Sequence, residues 1–404
     1  MVRRNLGRAN AAAAVLAAGM VLALAGCDQM PQTELPGNFD IPASDPGTGL
    51  PEASFASPQG VAVSRGIAFV ANPNVGWSGQ TLVYGPGFVT VVRLADGGIL
   101  ERIPVSARNP QVVAAAGDRV VVLCSGATAF DGTTVRPAGD GSVVVLDAAR
   151  AAAGQPALVR EIPVPASTVH PLVGYPSSLA LSADGRRVWL GSGTAPAVLL
   201  VDLDAGTVLR GTTNPVALGD LDAQDTIVVR PGPGGTLLAG RFENNAVVVL
   251  DGTTGDLSPA YLVPFPVGTG TQSVGVQDIA LRPGASPDVY VLLGLASSIS
   301  AVDSAQGPAG VRNDFATTGL YPNRLLLDGD RLLVVNSGDN NVTALDPNTG
   351  RLQGKVAILP TGTNPYDIAV YADGSRTMAA ITGQQSASLF VVDLDTAAIV
   401  REVR

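Results

Sequence analysis

From residue 57 onward the chain alternates short apolar runs with small groups of Asn, Asp, Gly, Ser and Thr. In "RLLVVNSGDNNVTALDPNTGRLQGKVAILPTG", residues 331–362, three such runs follow one another, and none has a helical period. Short apolar runs bounded by turn residues predict β-strands. The second and third runs of such units are continuously apolar, which is typical of strands covered on both faces.

A unit of this kind, usually of four runs, occurs seven times. Its first runs begin near positions that lie 43 to 66 residues apart: Pro58, Pro110, Pro176, Gln224, Val276, Pro322 and Pro365. One sheet cannot bury both of its faces alone, whereas seven sheets stacked around an axis can. We therefore predict an all-β fold, a seven-bladed β-propeller of four-stranded antiparallel blades. Because the last unit already has four runs, the ring closes either without strand exchange or with part of the preceding linker on an open edge.

Acidic residues end most of the third runs, and turn chemistry explains them. Asp202, Asp251 and Asp346 each precede a short turn that contains Gly. Asp accepts hydrogen bonds from nearby backbone amides, and Gly supplies a positive φ. Turn capping is favoured over calcium binding, since an EF-hand-like loop needs five or more ordered oxygens.

Residues 1–26 are predicted to be a lipoprotein signal peptide. Three arginines precede an apolar run, residues 11–26, that is too short to span a bilayer comfortably. The run leads into "LAGC", residues 24–27, which resembles the lipobox of bacterial lipoproteins. This resemblance implies that Cys27 becomes a lipidated N-terminus and holds the protein on a membrane. The alternative is an ordinary signal peptide with a chance cysteine.

Composition divides the rest of the chain and limits its chemistry. Residues 27–56 are rich in Pro, Gly and acid, which predicts a flexible linker between the anchor and a propeller domain at 57–404.

A net charge of -9 disfavours a nucleic-acid partner. With His170 as the single histidine, a His-rich metal site cannot be built, and no cofactor is predicted. Cys124 lies in an apolar run and is interpreted as a buried small hydrophobe.

Entry loops to the first strands and loops between the second and third strands converge on one rim of such a propeller. That rim, around the central channel, is the default binding site. Part of its polar ring could simply cap the strands. The candidate channel residues are Gln59, Gln111, Asp225, Gln277, Asp278, Asn323, Arg324 and Asp367.

The predicted rim is lopsided, because units one and two have long joining loops at residues 71–87 and 125–141. Aromatic and Arg side chains gathered there suit a binding surface for a protein, peptide or glycan. Alternatively, these rings pack their own long loops into lids. The candidate rim residues are Trp77, Tyr84, Phe88, Phe130, Arg136, His170 and Tyr175.

The sixth and seventh units resemble the YVTN-type β-propeller repeat. The tetrapeptide that names this family is degraded to "LVVN" at residues 333–336. The resemblance implies seven blades and an exported or surface location, and the family's members mostly lack a proven enzymatic activity. The residues that fall on the repeat pattern are Asn336, Gly338, Asn340, Asn341, Asp346, Thr349, Gly350, Gly362, Asn364, Pro365, Asp373 and Gly374.

Together these features predict a lipid-anchored propeller in the bacterial cell envelope, facing the periplasm or the exterior. It would act as a binding or scaffold module for a protein or another envelope ligand. The alternative is a channel-sited hydrolase similar to propeller lactonases, in which Glu243 and Arg241 could join the channel group. No Gly-x-Ser-x-Gly motif is present, so the sequence favours binding over catalysis.

Overall fold

A computed structural model describes residues 50–78, 81–130, 134–182, 184–256, 265–266 and 274–404. The predicted signal peptide, Cys27 and most of the predicted linker lie outside these residues. Seven four-stranded antiparallel sheets succeed one another along the chain, and the innermost strand of the last contacts that of the first. The predicted seven-bladed β-propeller is confirmed. Within the described part of the chain, no helix is long and apolar enough to cross a membrane.

The first three blades carry additions to the four-strand pattern: hairpins β3–β4 and β9–β10, helix α1 and the short strand β17. Blade 1 comprises β1 (Val61–Ser64), β2 (Ile67–Asn72), β3 (Val75–Ser78), β4 (Thr81–Tyr84), β5 (Phe88–Arg93) and β6 (Gly98–Pro104). Blade 2 comprises β7 (Pro110–Ala116), β8 (Arg119–Cys124), β9 (Thr128–Phe130), β10 (Val135–Pro137), β11 (Gly141–Asp147), α1 (Ala148–Ala152) and β12 (Leu158–Val164). Blade 3 comprises β13 (Pro176–Leu181), β14 (Arg187–Ser192), β15 (Ala197–Asp202), β16 (Thr207–Arg210) and β17 (Val216–Ala217).

The last four blades are plainer. Blade 4 comprises β18 (Ile227–Pro231), a 3₁₀ turn (Pro233–Gly235), β19 (Thr236–Arg241), β20 (Ala246–Asp251) and β21 (Phe265–Pro266). Blade 5 comprises β22 (Val276–Leu281), β23 (Val289–Leu293), β24 (Ser298–Val302), a 3₁₀ segment (Ser304–Gly310) and β25 (Val311–Thr317). Blade 6 comprises β26 (Pro322–Asp328), β27 (Arg331–Asn336), β28 (Asn341–Leu345) and β29 (Leu352–Ile358). Blade 7 comprises β30 (Pro365–Asp373), β31 (Arg376–Gly383), β32 (Ser388–Asp393) and β33 (Ala398–Val403).

The continuously apolar runs are explained by how the blades stack. Each of the seven interfaces between neighbouring blades holds an apolar cluster of described residues. In β14, Val188 and Leu190 pack towards blade 2, while Trp189 packs towards blade 4. Successive side chains of a strand point to opposite faces, and here both faces are covered. Most positions in the middle of a central strand are therefore apolar.

The predicted turn caps are confirmed. The Asp202 carboxylate accepts hydrogen bonds from the backbone amides of Asp204 and Ala205 at 3.0 and 2.8 Å. Asp346 accepts from Asn348 and Thr349 in the same way. These third-strand carboxylates hold the turns that lead to the fourth strands.

Two features of blades 1 and 2 were not predicted. The long joining loops contain the two-stranded hairpins β3–β4 and β9–β10. A one-turn helix, α1, follows β11, and the Asp147 carboxylate caps it by accepting a hydrogen bond from the Arg150 amide at 3.0 Å. The turn capping expected after third strands therefore starts a helix in this blade.

The ring closes without strand exchange among the described residues, because blade 7 takes all four strands from the C-terminal unit. The segment before β1 adds a second contact, since Phe55 is 2 % exposed within the apolar cluster between blades 7 and 1. The Ala56 amide donates to Asn72 Oδ1 at 3.0 Å, and Thr90 Oγ1 donates to the Ser54 carbonyl at 2.6 Å. Contacts with the propeller thus begin inside the segment assigned to the linker.

We predict that Phe55→Ala lowers the free energy of unfolding by about 3–5 kcal/mol, because it leaves a cavity at the seam where the ring closes. Urea unfolding followed by tryptophan fluorescence would measure this change. Leu352→Ala is the control, since Leu352 is among the exposed large apolar side chains and its truncation should change stability little. Equal, small effects of the two substitutions would contradict a structural role for the segment before β1.

Candidate functional site

Entry loops and joining loops meet on one rim, as predicted. In blade 3 the Gly193 amide, just after the second strand, donates to the carbonyl of Tyr175, just before the first strand, at 2.9 Å. The same bond joins Phe242 to Thr226 in blade 4 at 3.0 Å. Corresponding bonds in the other blades place both kinds of loop around the mouth of the channel.

The channel has a charged sector formed by blades 4 to 7. Arg230 Nη2 lies 2.6 Å from Asp278 Oδ1, and Arg324 Nη1 lies 3.2 Å from Asp278 Oδ2. Arg324 Nε lies 3.0 Å from Asp367 Oδ1, although its N–H does not form a directional hydrogen bond there. Two arginines and two aspartates from four successive blades therefore alternate in one buried network.

The two aspartates of this network also join neighbouring blades. Asp278 Oδ2 accepts a hydrogen bond from the amide of Leu325, in the next blade, at 2.9 Å. Asp367 Oδ2 accepts one from the amide of Val61, across the closure of the ring, at 3.1 Å. Each carboxylate accepts a further bond from the amide that follows it in the chain. Asp278 and Asp367 thus have a clear structural role.

The buried network shifts the pKa values of three of its members. Burial raises the pKa of Asp367, and the Arg324 charge offsets this only partly. Burial lowers the pKa of Arg324, but the carboxylates of Asp278 and Asp367 oppose this, and the resulting pKa is above the usual value. Burial lowers the pKa of Arg230, only partly offset by Asp278. Since both guanidinium groups start from a very high pKa, both stay charged at neutral pH.

A second group of polar side chains lies at the mouth of blade 4. Arg241 Nε lies 2.8 Å from Asp225 Oδ2, and Asn244 Nδ2 donates to the same oxygen at 2.9 Å. Asp225 Oδ1 accepts from the Glu243 amide at 3.0 Å. The Glu243 carboxyl is half-buried, and its Oε1 is buried without a hydrogen-bond partner. Burial first, and the nearby Asp225 charge second, raise the pKa of Glu243 to about 7.

Blades 1 to 3 give the channel mouth an uncharged sector. Asn109 Nδ2 and Gln111 Nε2 donate to the Tyr175 hydroxyl at 3.0 and 2.8 Å. Gln59 is fully buried, and neither atom of its side-chain amide has a hydrogen-bond partner. On the charged side, Gln277 and Asn323 are half-buried, and Asn323 Nδ2 donates to Ser337 Oγ. The channel candidates therefore divide into a charged half and an amide half.

The aromatic rim candidates lie mostly inside the protein. Tyr84, the last residue of β4, and Tyr175 are both buried, and the Tyr84 hydroxyl lies 3.1 Å from Thr128 Oγ1 of β9. Burial raises the pKa of both phenols. Phe88 is fully buried in β5, with the Arg102 guanidinium 4.9 Å from its ring centroid. The burial of these three rings fits the alternative that they pack their own loops.

The other rim candidates are not brought together into one surface. Arg136 is exposed on β10, and His170 is half-exposed in the loop before β13. The side chains of Trp77 and Phe130 lie outside the described part of the structure. Cys124 is fully buried, as predicted, and burial raises the pKa of its thiol. Within the described residues, no group of three or more His, Cys, Asp and Glu side chains is placed to hold a metal ion.

Exposed apolar side chains lie on the rim of blades 5 and 6, whereas in blade 3 Val169, 61 % exposed, lies in the long entry loop. Leu295, Leu320 and Tyr321 are 48 %, 57 % and 53 % exposed, and we call them the apolar rim patch. Leu295 belongs to the joining loop of blade 5, and the other two belong to the entry loop of blade 6. The Thr318 amide donates to the Ser297 carbonyl at 2.9 Å, which holds these two loops together.

Sequence reasoning missed both Arg230 and the apolar rim patch. A signal for Arg230 was available, because an arginine follows an otherwise apolar run in "TIVVRP", residues 226–231. The patch had a weaker signal, since Leu320 and Tyr321 stand directly before a first-strand proline, in a position already assigned to the rim. Single exposed apolar residues are common, so only their proximity in space makes these informative.

Comparison with known proteins supports the fold alone. No family model matches this sequence, and no curated protein matches it. A streptogramin B lyase structure is similar with a TM-score of 0.58 and 12 % identity, covering 83 % of this chain and 93 % of that one. The WD40 domain of Neurospora crassa Pan2 has a TM-score of 0.55 and 12 % identity, covering 83 % and 88 %. The designed protein Ika8 has a TM-score of 0.50 and 15 % identity, covering 87 % and 88 %.

We predict that Asp367→Asn lowers the free energy of unfolding by about 3–5 kcal/mol, because it leaves the buried network with two arginines and only one carboxylate, Asp278. Asp373→Asn is the matched control, since Asp373 pairs with Arg376 at the surface and exposed pairs contribute little. Thermal and urea unfolding of both variants would measure the difference. A loss no larger than that of the control would contradict the structural role of the channel carboxylate.

We also predict a pH-dependent gain in stability from Glu243→Gln. The folded protein holds the Glu243 proton more tightly than the unfolded chain, with pKa values of about 7 and 4.5. The wild-type protein therefore loses stability as pH rises between these values, and the variant does not. The melting temperature of the variant relative to wild type should rise from pH 5 to pH 8.

Glu402→Gln is the control for this titration. Its partner Arg404 first, assisted by Ser388, lowers the pKa of the Glu402 carboxyl, so Glu402 is ionised in both states over that pH range. The melting temperature of Glu402→Gln relative to wild type should not rise with pH. Parallel melting curves for the two variants would contradict the environment assigned to Glu243.

Proposed function

We propose that this protein is a lipid-anchored propeller of the bacterial cell envelope that binds a protein partner through its rim. The propeller fold itself suggests a binding or scaffold module. The observation that carries the proposal is the apolar rim patch, because clustered exposed apolar side chains on a rigid scaffold are typical of interaction sites. Aromatic and large apolar anchors contribute most of the binding energy in such sites.

The charged sector supports binding over channel chemistry. Asp278 and Asp367, the best candidates for catalytic carboxylates, already contact arginines and backbone amides. If either carboxylate took part in a reaction, it would have to leave contacts that hold neighbouring blades together. A channel hydrolase is the second candidate, and Glu243 favours it, because a carboxyl with a pKa of about 7 suits general acid–base catalysis.

Membership of the YVTN-type repeat proteins is part of the proposal, and the contacts of Asn336 support it. Asn336 Oδ1 accepts a hydrogen bond from the Gly319 amide at 2.9 Å, and its Nδ2 donates to Asn341 Oδ1 at 3.0 Å. In blade 1 Asn72 makes the same kind of contacts, accepting from Ala56 and donating to Thr90. An Asn that ends the second strand thus joins the entry segment to the third strand, which gives this element of the repeat pattern a physical reason.

The anchor and the location rest on the N-terminal sequence. The "LAGC" motif at residues 24–27 supports lipidation of Cys27, and the Pro- and Gly-rich segment after it supports a tether. With the body held near a membrane but free to turn, the rim can meet a partner in the same compartment.

Crosslinking in native membranes tests this function. The wild-type lipoprotein should capture a specific protein, and Leu320→Asp should reduce the yield roughly tenfold, because a charge in an apolar anchor position removes a large part of the binding energy. Leu352→Asp is the matched control, since Leu352 is 63 % exposed on the outer strand β29, away from the rim. Cys27→Ser should prevent capture by removing the membrane anchor.

Two results would overturn the proposal. A partner captured equally well by wild type and Leu320→Asp would place the interface elsewhere. Absence of any protein specific to the wild-type lanes would favour the hydrolase, whose substrates would then be sought among lactones and glycans.

A further inference from the structure

The apolar rim patch is surrounded by acidic and not by basic side chains. Five described segments form this part of the rim: residues 242–245, 274–277, 294–298, 318–323 and 337–340. They contain two acids, Glu243 and Asp339, and no Lys or Arg. The patch therefore combines exposed apolar area with negative charge.

Asp339 lies directly beside the apolar side chains, and the residue before Glu243 lies near Leu295. Asp339 Oδ2 accepts a hydrogen bond from the Leu320 amide at 3.0 Å, which places its exposed carboxylate directly beside the patch. Glu243 follows Phe242, and the Phe242 ring and Leu295 both pack over Gly275. A Cβ added to Gly275 would lie 2.6 Å from the Phe242 ring and 3.1 Å from Leu295 Cγ. Asp339 therefore lies beside the patch on the blade 6 side, and Glu243 belongs to the neighbouring rim segment on the blade 4 side.

The nearest arginines do not neutralise this charge. Arg241 pairs with Asp225, and Arg324 and Arg230 pair with the channel aspartates. These guanidinium groups are already balanced by buried carboxylates. Asp339 is left as an unbalanced charge at the rim of blade 6, on a chain whose net charge is -9. Glu243 adds a second negative charge on the blade 4 side as it ionises, with a pKa of about 7.

We propose that the apolar rim patch binds a partner segment in which Lys or Arg side chains flank Leu-like or aromatic side chains. This inference rests on the proposed function and names the chemistry of the partner. Apolar side chains of the segment cover Leu295, Leu320 and Tyr321, while its cations lie near Glu243 and Asp339. Complementary charge at the edge of an interface increases the rate of association and excludes wrong partners.

Charge also argues against two other occupants of the patch. A second copy of this chain bound through the same patch would add two more acids and no Lys or Arg from these rim segments, and like charges at an interface are unfavourable. An anionic membrane surface would be repelled for the same reason. A cationic, partly apolar protein segment satisfies both features of the site.

Short labelled peptides provide the test. The probes are one peptide of alternating Leu and Lys and two matched peptides in which Glu or Gln replaces Lys. Binding to the intact lipoprotein in nanodiscs of zwitterionic lipid would be measured by fluorescence anisotropy at low and at physiological salt. We expect the Leu/Lys peptide to bind most tightly, with weaker binding at higher salt.

Substitutions locate the interaction. Asp339→Asn and Glu243→Gln should each weaken binding of the Leu/Lys peptide a few-fold, as is usual for charges at the edge of an interface. Leu320→Ser should weaken all binding about tenfold or more. Asp373→Asn is the control. Asp373 is the last residue of β30, at the turn to β31 and on the face opposite the rim, so loss of its charge should leave peptide binding unchanged.

The outcomes separate this inference from the proposed function. Equal binding of the Leu/Gln and Leu/Lys peptides, lost in Leu320→Ser, would keep rim binding and overturn the cationic partner. Binding only to nanodiscs of phosphatidylglycerol would overturn it in favour of a membrane surface. If no peptide binds, the cationic segment is wrong, while capture of a native partner is decided separately by the crosslinking experiment.

Discussion

The ring depends on buried side chains at the heads of its inner strands that accept backbone amides from the next blade. Asp278 makes this bond between blades 5 and 6, and Asp367 makes it between blades 7 and 1, where the chain ends meet. In blade 3 the Ser178 hydroxyl takes the same place, accepting from the Val229 amide at 3.1 Å and donating to the Ile227 carbonyl at 2.7 Å. Apolar packing between blades is non-directional, whereas at these three boundaries the bonds fix how one inner strand is placed against the next.

This requirement has a consequence for the channel. A buried carboxylate needs compensation, and Arg230 and Arg324 supply it from neighbouring blades. The charged sector therefore contributes to the assembly of the ring, and its two aspartates, Asp278 and Asp367, have a structural role. Chemistry or recognition that must vary without disturbing the fold is better placed on the outer loops of the rim.

Much of the fold could be predicted from local pattern, but much of the site could not. The two-faced burial of blade strands leaves a direct trace in the sequence, as do the Asp turns and the buried Cys124. The direction in which a side chain points leaves no such trace in the sequence. "RP" follows an apolar first strand in both blade 4 and blade 5, yet Arg230 contacts Asp278 while Arg282 donates to Asn348 Oδ1 at 2.6 Å. Only the position of the neighbouring blade decides between these two contacts.

The apolar rim patch lies on blades 5 and 6, away from the long joining loops of blades 1 and 2. An insertion long enough to form a hairpin can bury its own aromatic side chains, and Tyr84 of β4 is buried in this way, with its hydroxyl against Thr128 of β9. The joining loop of blade 5 has only a few residues between β23 and β24, so Leu295 has nothing of its own to pack against. Leu320 and Tyr321, in a short entry segment, are in the same position. Leu295, Leu320 and Tyr321 therefore stay available to a partner because their short loops contain too few residues to cover them.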